Sequence, residues 1–226
     1  MDKGKNTVSV VIPTKNESKT IRKIINNVRP FCDEVLVVDG HSIDDTAKIA
    51  EEEGANIILD NKKGKGAALR LAAQKVKGNI IVFFDADGSH EAKDIPKLVQ
   101  MIEKGKDLVI ASRSKGGSDE LHGDFVKFIR LIGSNLITIA INYRWNVRLT
   151  DSQNGFRAIK TDVMNNLRLT ENIFTIEQEM LMKTLKKDYN VGETASHEYE
   201  REYGNSRINL LKMGPRYVWC LLKNIL

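Results

Sequence analysis

The chain has 226 residues, of which 41% are hydrophobic and 29% charged, and a formal net charge of +5. That balance excludes a disordered chain and suits one good-sized folded domain. The two cysteines, Cys32 and Cys220, lie far apart and make no metal or redox spacing, which argues against a structural disulfide and fits a reducing compartment.

Met1-Asp2-Lys3-Gly4-Lys5 leads directly towards a strand, so no signal peptide is expected. Val8 to Ile12 reads as a strand stopped by Pro13, then a polar turn, Thr14 to Ser18. Ile21, Ile24, Ile25 and Val28 follow at helical spacing. Glu34 to Val38 is a second strand ending in Asp39-Gly40-His41-Ser42, and Asp44-Asp45-Thr46 opens a helix closed by Gly54. Asn56 to Leu59 is a third strand, and Gly64-Lys65-Gly66 leads into an Ala-rich helix from Ala67 to about Val76. Ile80 to Phe84 is a strand buried on both faces that runs straight into Asp85-Ala86-Asp87-Gly88-Ser89. A helix from about Asp94 to Glu103 and a strand, Leu108 to Ala111, complete this half. The alternation predicts right-handed βαβ units and a mostly parallel sheet.

After Arg113 the pattern changes. Ser114 to Asp119 reads as a loop, and Phe125 to Tyr143 as a long helix too charged to span a membrane. Asp151 to Arg157 is a turn, Ile176 to Lys186 a helix, and Ala195 to Tyr199 strand-like. The tail, Leu210 to Leu222, mixes apolar, aromatic and basic residues, and Pro215 is expected to break its helix. From Phe125 to Arg148 there are four basic residues and no acid, and the same holds from Tyr203 to Leu226. Such segments suit phosphate-bearing partners or an anionic membrane surface. Nothing resembles a helix-turn-helix, a zinc finger or an RNA-binding signature, so nucleic acid is not an expected partner.

Asp85 and Asp87 stand where a buried strand ends, the usual place for ligands in an open α/β sheet. Their carboxylates would repel unless a hard cation relieved them. Mg2+ or Mn2+, held by one or two carboxylates plus substrate phosphates, fits, with Ser89 as a further weak ligand. Taken alone, Asp-x-Asp reads rather as a solvated acidic turn; the rest of the chain decides for the metal.

Pro13 to Glu17, Val38 to Thr46, Gly64 to Ala68 and Asp85-Ala86-Asp87 stand at four successive strand ends. In that order they resemble family 2 of the inverting nucleotide-sugar glycosyltransferases, over about residues 7–113. The resemblance implies a GT-A fold, an α/β Rossmann-like sheet flanked by helices, holding a UDP- or GDP-linked sugar across the strand ends. It places Pro13, Thr14, Asn16 and Glu17 on the nucleotide, Asp39 on base or ribose, and Lys65 on the donor's anionic oxygens. Asp85, Ala86 and Asp87 then meet the diphosphate and its metal. Relatives often have two successive aspartates after the second strand; here the second is Gly40. The plain alternatives are a helix-entry turn for Asp39 and a surface lysine for Lys65.

Ala111-Ser112-Arg113, Arg130 with Ser134, Asp151 to Arg157, and Arg201 with Gly204-Asn205-Ser206-Arg207 resemble the dolichyl-phosphate mannose synthase group. That implies that Arg113, Arg130 and Ser134 bind an acceptor lipid phosphate and that Arg207 reaches the phosphates from a mobile loop. A guanidinium suits bidentate phosphate contact. Arg130 also reads as the outer face of an amphipathic helix, and Asp151 with Gly155-Phe156-Arg157 as a structural turn beside the site. The chain has no Glu-Asp dipeptide, from which polysaccharide-forming relatives take a general base; an acceptor phosphate needs none. The expectation is one domain: a nucleotide-sugar half (about 1–113), an acceptor half (about 114–209) and an interfacial tail (about 210–226). It would transfer sugar to polyprenyl or dolichyl phosphate, as a peripheral protein on the cytoplasmic membrane face.

Three rivals are weaker. A haloacid-dehalogenase-type phosphatase carries Asp-x-Asp-Gly-Ser on its first strand, whereas here the motif comes fourth. A dinucleotide-binding oxidoreductase needs glycines where Pro13 to Glu17 has none. A non-catalytic scaffold is opposed by intact Asp85, Asp87 and Arg113.

Overall fold

The structure, a computed structural model, describes residues 6–119, 125–203 and 210–225. Its centre is a sheet of β1 (Val8–Thr14), β2 (Glu34–Asp39), β3 (Asn56–Leu59), β4 (Ile80–Phe83), β5 (Leu108–Ser112), β6 (Arg157–Lys160) and β7 (Val191–Ala195), ordered β3-β2-β1-β4-β6-β5-β7. Unbroken apolar runs in β1, β2, β4 and β5 are the signature of strands covered on both faces. The covering helices are α1 (Ile21–Val28), α2 (Thr46–Glu52), α3 (Lys65–Ala73), α4 (Ile95–Glu103), α5 (Arg113–Gly116), α6 (Phe125–Trp145), α7 (Thr161–Asn166), α8 (Ile176–Lys186) and α9 (Leu210–Ile225).

Alternate residues of each strand feed opposite cores. Val10, Ile12, Val37 and Val82 pack with α1 and α4, while Val11, Leu36, Val38 and Phe83 pack with α3 and α8. Each such side chain is worth roughly 1.5–3 kcal/mol on burial. β1 winds on to β2 and β3 on one side, and β4 opens the other. The switch point therefore lies between β1 and β4, where an open α/β sheet leaves its ligand crevice.

Several expectations change. Pro13 does not stop β1; the strand continues to Thr14, paired with β2. Pairing with β4 ends at Val11 with Phe83, so the missing N–H interrupts no ladder on that side. Arg157, expected to end a turn, instead heads β6, which is antiparallel to both β4 and β5. The last strand is Val191–Ala195 rather than Ala195 to Tyr199, which contributes only isolated bridges. The Ser114 loop begins with one helical turn, α5. Pro215 lies inside α9 without ending it. It comes in the second turn, where one intrahelical bond is lost, and buried Met213, Cys220 and Asn224 hold the helix down. Both cysteines are free.

Candidate active site

Two cavities meet over the strand ends. One, about 530 Å³, runs from Asp60, Lys62 and His41 past Pro13 and Thr14 to Asp85 and Asp87. The other, about 410 Å³, leads from those aspartates between α6 and α9, with Leu131, Ile137, Met213 and Leu221 among its apolar walls. Lys65, Asp85, Asp87, Phe174 and Arg201 line both, so the cavities join there.

The strand-end cavity is shaped by two stapled loops. Asn16 donates its backbone N–H to Ser42 Oγ (2.8 Å) and accepts from the Ile43 N–H (2.9 Å). Glu17 N–H donates to Thr46 Oγ1 at 2.8 Å. Asp39, buried, accepts from the Ser42 N–H and hydroxyl (2.9 and 2.5 Å). Its carboxylate therefore braces the turn that follows β2. Pro13, Thr14, Glu17, Lys65, Asp85, Ala86 and Asp87 line the cavity; Asn16 and Asp39 support it from behind.

The junction is a chain of charges. Lys65, in the first turn of α3, places Nζ 2.7 Å from Asp85 Oδ1 and 3.0 Å from Glu177 Oε1. Burial opposes the lysine's charge, but the two carboxylates outweigh it and raise its pKa. Burial likewise opposes the Asp85 carboxylate, yet Lys65 and then His90, whose Nε2 lies 3.5 Å away, hold its pKa far below the usual range. Gly155 closes over this pair: a Cβ there would come 2.7 Å from Asp85 Oδ2 and 2.9 Å from Lys65 Nζ. Asp87 accepts from the Ser89 hydroxyl at 2.6 Å and pairs with Arg201 at 2.9 Å. Arg201 belongs to a strap that also donates Tyr199 N–H to Ser89 O and Glu202 N–H to Asp87 O (2.8 and 3.2 Å).

On the α6–α9 side, Arg113 grips Asp151 through Nε and Nη2 (2.6 and 3.0 Å) and approaches Glu198 at 3.4 Å. Arg130 and Ser134 share the cavity wall, and Arg130 has no hydrogen-bond or ion-pair partner among the described residues. Arg207 lies outside the described residues. Buried Arg157, whose pKa burial pulls down to about 10, donates to the Asn154 and Glu177 carbonyls (2.9 and 2.8 Å) and pins the turn to α8.

Among the described residues no group of three His, Cys, Asp or Glu surrounds a common point. The oxygen-only set of Asp85, Asp87 and Ser89 still fits a hard dication that takes its remaining ligands from a diphosphate. Each carboxylate already sits against a cation, Lys65 or Arg201, so the junction is built to hold these anions beside positive charge. Sequence reasoning missed Glu177, Phe174 and Tyr217. The available signal was an acid, Glu177, between core residues Ile176 and Met180 at the start of α8.

The glycosyl transferase family 2 model matches residues 9–168. The hexosyltransferase Agl6 of Haloferax volcanii is 30% identical over 96% of this chain and 54% of its own length, and AglJ of the same organism 30% over 88% and 65%. This chain thus spans about half to two-thirds of those relatives. A UDP-N-acetylglucosamine–dolichyl-phosphate N-acetylglucosaminyltransferase of Methanococcus voltae is 28% identical over 95% of this chain and 94% of its own. In fold, the chain superposes with a TM-score of 0.77 on Mycobacterium tuberculosis glucosyl-3-phosphoglycerate synthase, crystallised with Mn2+, uridine diphosphate and phosphoglyceric acid. The identity is 22%, covering 99% of this chain and 80% of that one. A seven-stranded GT-A-like sheet, a carboxylate pair at its switch point and these matches together mean that the chain belongs to glycosyl transferase family 2.

Proposed function

We propose that the chain transfers a sugar, with inversion, from a UDP- or GDP-linked donor to polyprenyl or dolichyl phosphate at a membrane surface. The observation that carries this reading is the junction. An apolar cavity between α6 and α9 passes Arg130 and Ser134 and opens onto Asp85 and Asp87 at the end of the strand-end cavity. A polyprenyl chain suits the apolar walls, and its phosphate suits the Arg130 guanidinium, which is uncommitted among the described residues. The name of the Methanococcus voltae relative supports the same acceptor class.

Phe128, Ile132, Leu136, Ile139 and Tyr143 on α6, with Trp219 and Leu222 on α9, are exposed beside acid-free basic residues. That combination favours lying in a bilayer interface, and each nearby basic residue adds ~1 kcal/mol on an anionic surface. Among the described residues no helix is long and apolar enough to cross a membrane.

Asp85 and Asp87, with Ser89, would hold Mg2+ or Mn2+, which when bound would neutralise the leaving diphosphate. The chain's own groups do the rest. Lys65 keeps Asp85 ionised, Arg130 and Ser134 orient the acceptor phosphate, and Arg207 reaches the phosphates. One acceptor oxygen forms the new bond to the anomeric carbon as the carbon–diphosphate bond breaks. The attacking oxygen is already anionic, so no proton need be removed. The test is to incubate the chain with Mn2+, an α-linked UDP- or GDP-sugar and polyprenyl phosphate in anionic liposomes. A β-linked lipid-phosphate sugar is expected; an α-linked product, or preferential transfer to a soluble sugar, overturns the proposal.

A further inference from the structure

The strand-end cavity has two ends, and only one is taken up by the aspartate pair. β3 lies three strands from β4, a distance of ~14 Å at ordinary strand spacing. That span suits a base, a ribose and two phosphates laid in line. With the diphosphate at Asp85 and Asp87, the base falls at the end of β3, where Asp60, His41 and Lys62 form the wall.

Asp39, the aspartate that sequence reasoning assigned to base or ribose, has its carboxylate turned into its own loop. Asp60 commits only one oxygen in this way: its Oδ1 accepts the Lys62 N–H at 2.8 Å and lies 3.6 Å from His41 Nε2, while Oδ2 has no hydrogen-bond partner among the described residues. The residue is held by its backbone: its N–H donates to Asp39 O at 2.9 Å and its carbonyl meets His41 Nε2 at 3.0 Å. A fixed carboxylate with one oxygen committed to the loop and the other uncommitted is an acceptor awaiting a donor.

We infer that Asp60 reads the base of the donor, accepting through Oδ2 the ring N–H that uracil and guanine carry. Adenine and cytosine present a bare ring nitrogen at the equivalent edge, which a carboxylate repels. Asp60 thereby selects bases with a ring N–H, a residue-level assignment resting on the nucleotide-sugar reading above.

The substitution Asp60→Asn inverts the rule without disturbing the loop. The Lys62 N–H still requires an oxygen at the Oδ1 position, so the amide NH2 must take the place of Oδ2 and offer a donor where an acceptor stood. Binding of UDP, GDP, CDP and ADP with Mn2+ is measured by calorimetry on the wild-type chain and the variant, with melting temperatures recorded without nucleotide. Wild type should prefer UDP or GDP. Asp60→Asn should weaken that nucleotide on the order of tenfold or more, strengthen CDP, and melt at an unchanged temperature. Unchanged UDP and GDP affinity in the variant overturns the assignment of Asp60 alone. A wild-type chain that binds no nucleoside diphosphate overturns the donor reading beneath it.

Discussion

Replacing Lys65 by Met tests whether the junction depends on one cation. The methylene stem survives, and the ammonium that faces Asp85 and Glu177 does not. At an effective dielectric of about 20, the contacts of 2.7 and 3.0 Å are worth about 6 and 5.5 kcal/mol before desolvation. Removing three charged groups from water takes back most of that sum, at several kcal/mol per ion. The asymmetry decides the outcome: the variant keeps Glu177 buried and Asp85 partly buried, and loses the charge that justified them. Glu177 suffers most, since both its oxygens are sealed from solvent. The expected loss is ~3–5 kcal/mol, read as a lower urea midpoint at unchanged slope. Adding Glu177→Gln should recover part of it, so the double variant should be less destabilised than the sum of the singles. A Lys65→Met chain within about 1 kcal/mol of wild type would refute the reasoning.

Asp87→Asn should reduce transfer by roughly 100-fold or more, about 3 kcal/mol of barrier, with the melting temperature preserved; full activity in excess chelator would count against a metal-assisted reaction. Arg130→Ala should raise the KM for the lipid phosphate more than it lowers kcat, because a group that holds the acceptor equally in ground and transition states contributes to binding. Arg157→Met should cost ~3 kcal/mol or more, since the Asn154 and Glu177 carbonyls lose their donor and the Glu177 carboxylate loses a nearby positive charge, and a melting curve reports it. For acid stability, burial would raise the Asp151 carboxyl, but Arg113 outweighs it and holds the pKa below the ordinary carboxylate range. A depressed carboxylate gives stability above its unfolded pKa and loses it as pH falls through the folded one. Melting temperature should therefore hold from about pH 7 to 5 and drop below about pH 4, with a shallower drop in Asp151→Asn.

The strands were legible because their apolar runs are nearly unbroken, and the carboxylate pair because it follows a strand buried along its whole length. β6 was not, since Arg157 heads it: a fully buried arginine contradicts any apolar pattern, and only the Asn154 and Glu177 carbonyls explain its place. Asp39 and Asp60 show a second limit. Both are aspartates at strand ends, and sequence cannot tell which carboxylate commits both oxygens to its own turn and which commits only one. The α6–α9 cavity depends on two helices far apart in the chain, so the family resemblance supplied Arg130 and Ser134, and no local pattern supplied Tyr217, whose hydroxyl donates to Phe174 O at 3.1 Å. The uninterrupted α9 reflects packing that outweighs a local rule at Pro215.

The central claim is that the acceptor is a phosphate on an isoprenoid chain, held at Arg130. The most direct measurement compares sugar transfer to polyprenyl phosphate and to the same polyprenol lacking the phosphate, in liposomes, for wild type and Arg130→Ala. The account predicts transfer to the phosphate alone, with the variant needing far more of it. Equal use of the alcohol, or an Arg130→Ala enzyme with an unchanged KM for the lipid phosphate, would contradict it.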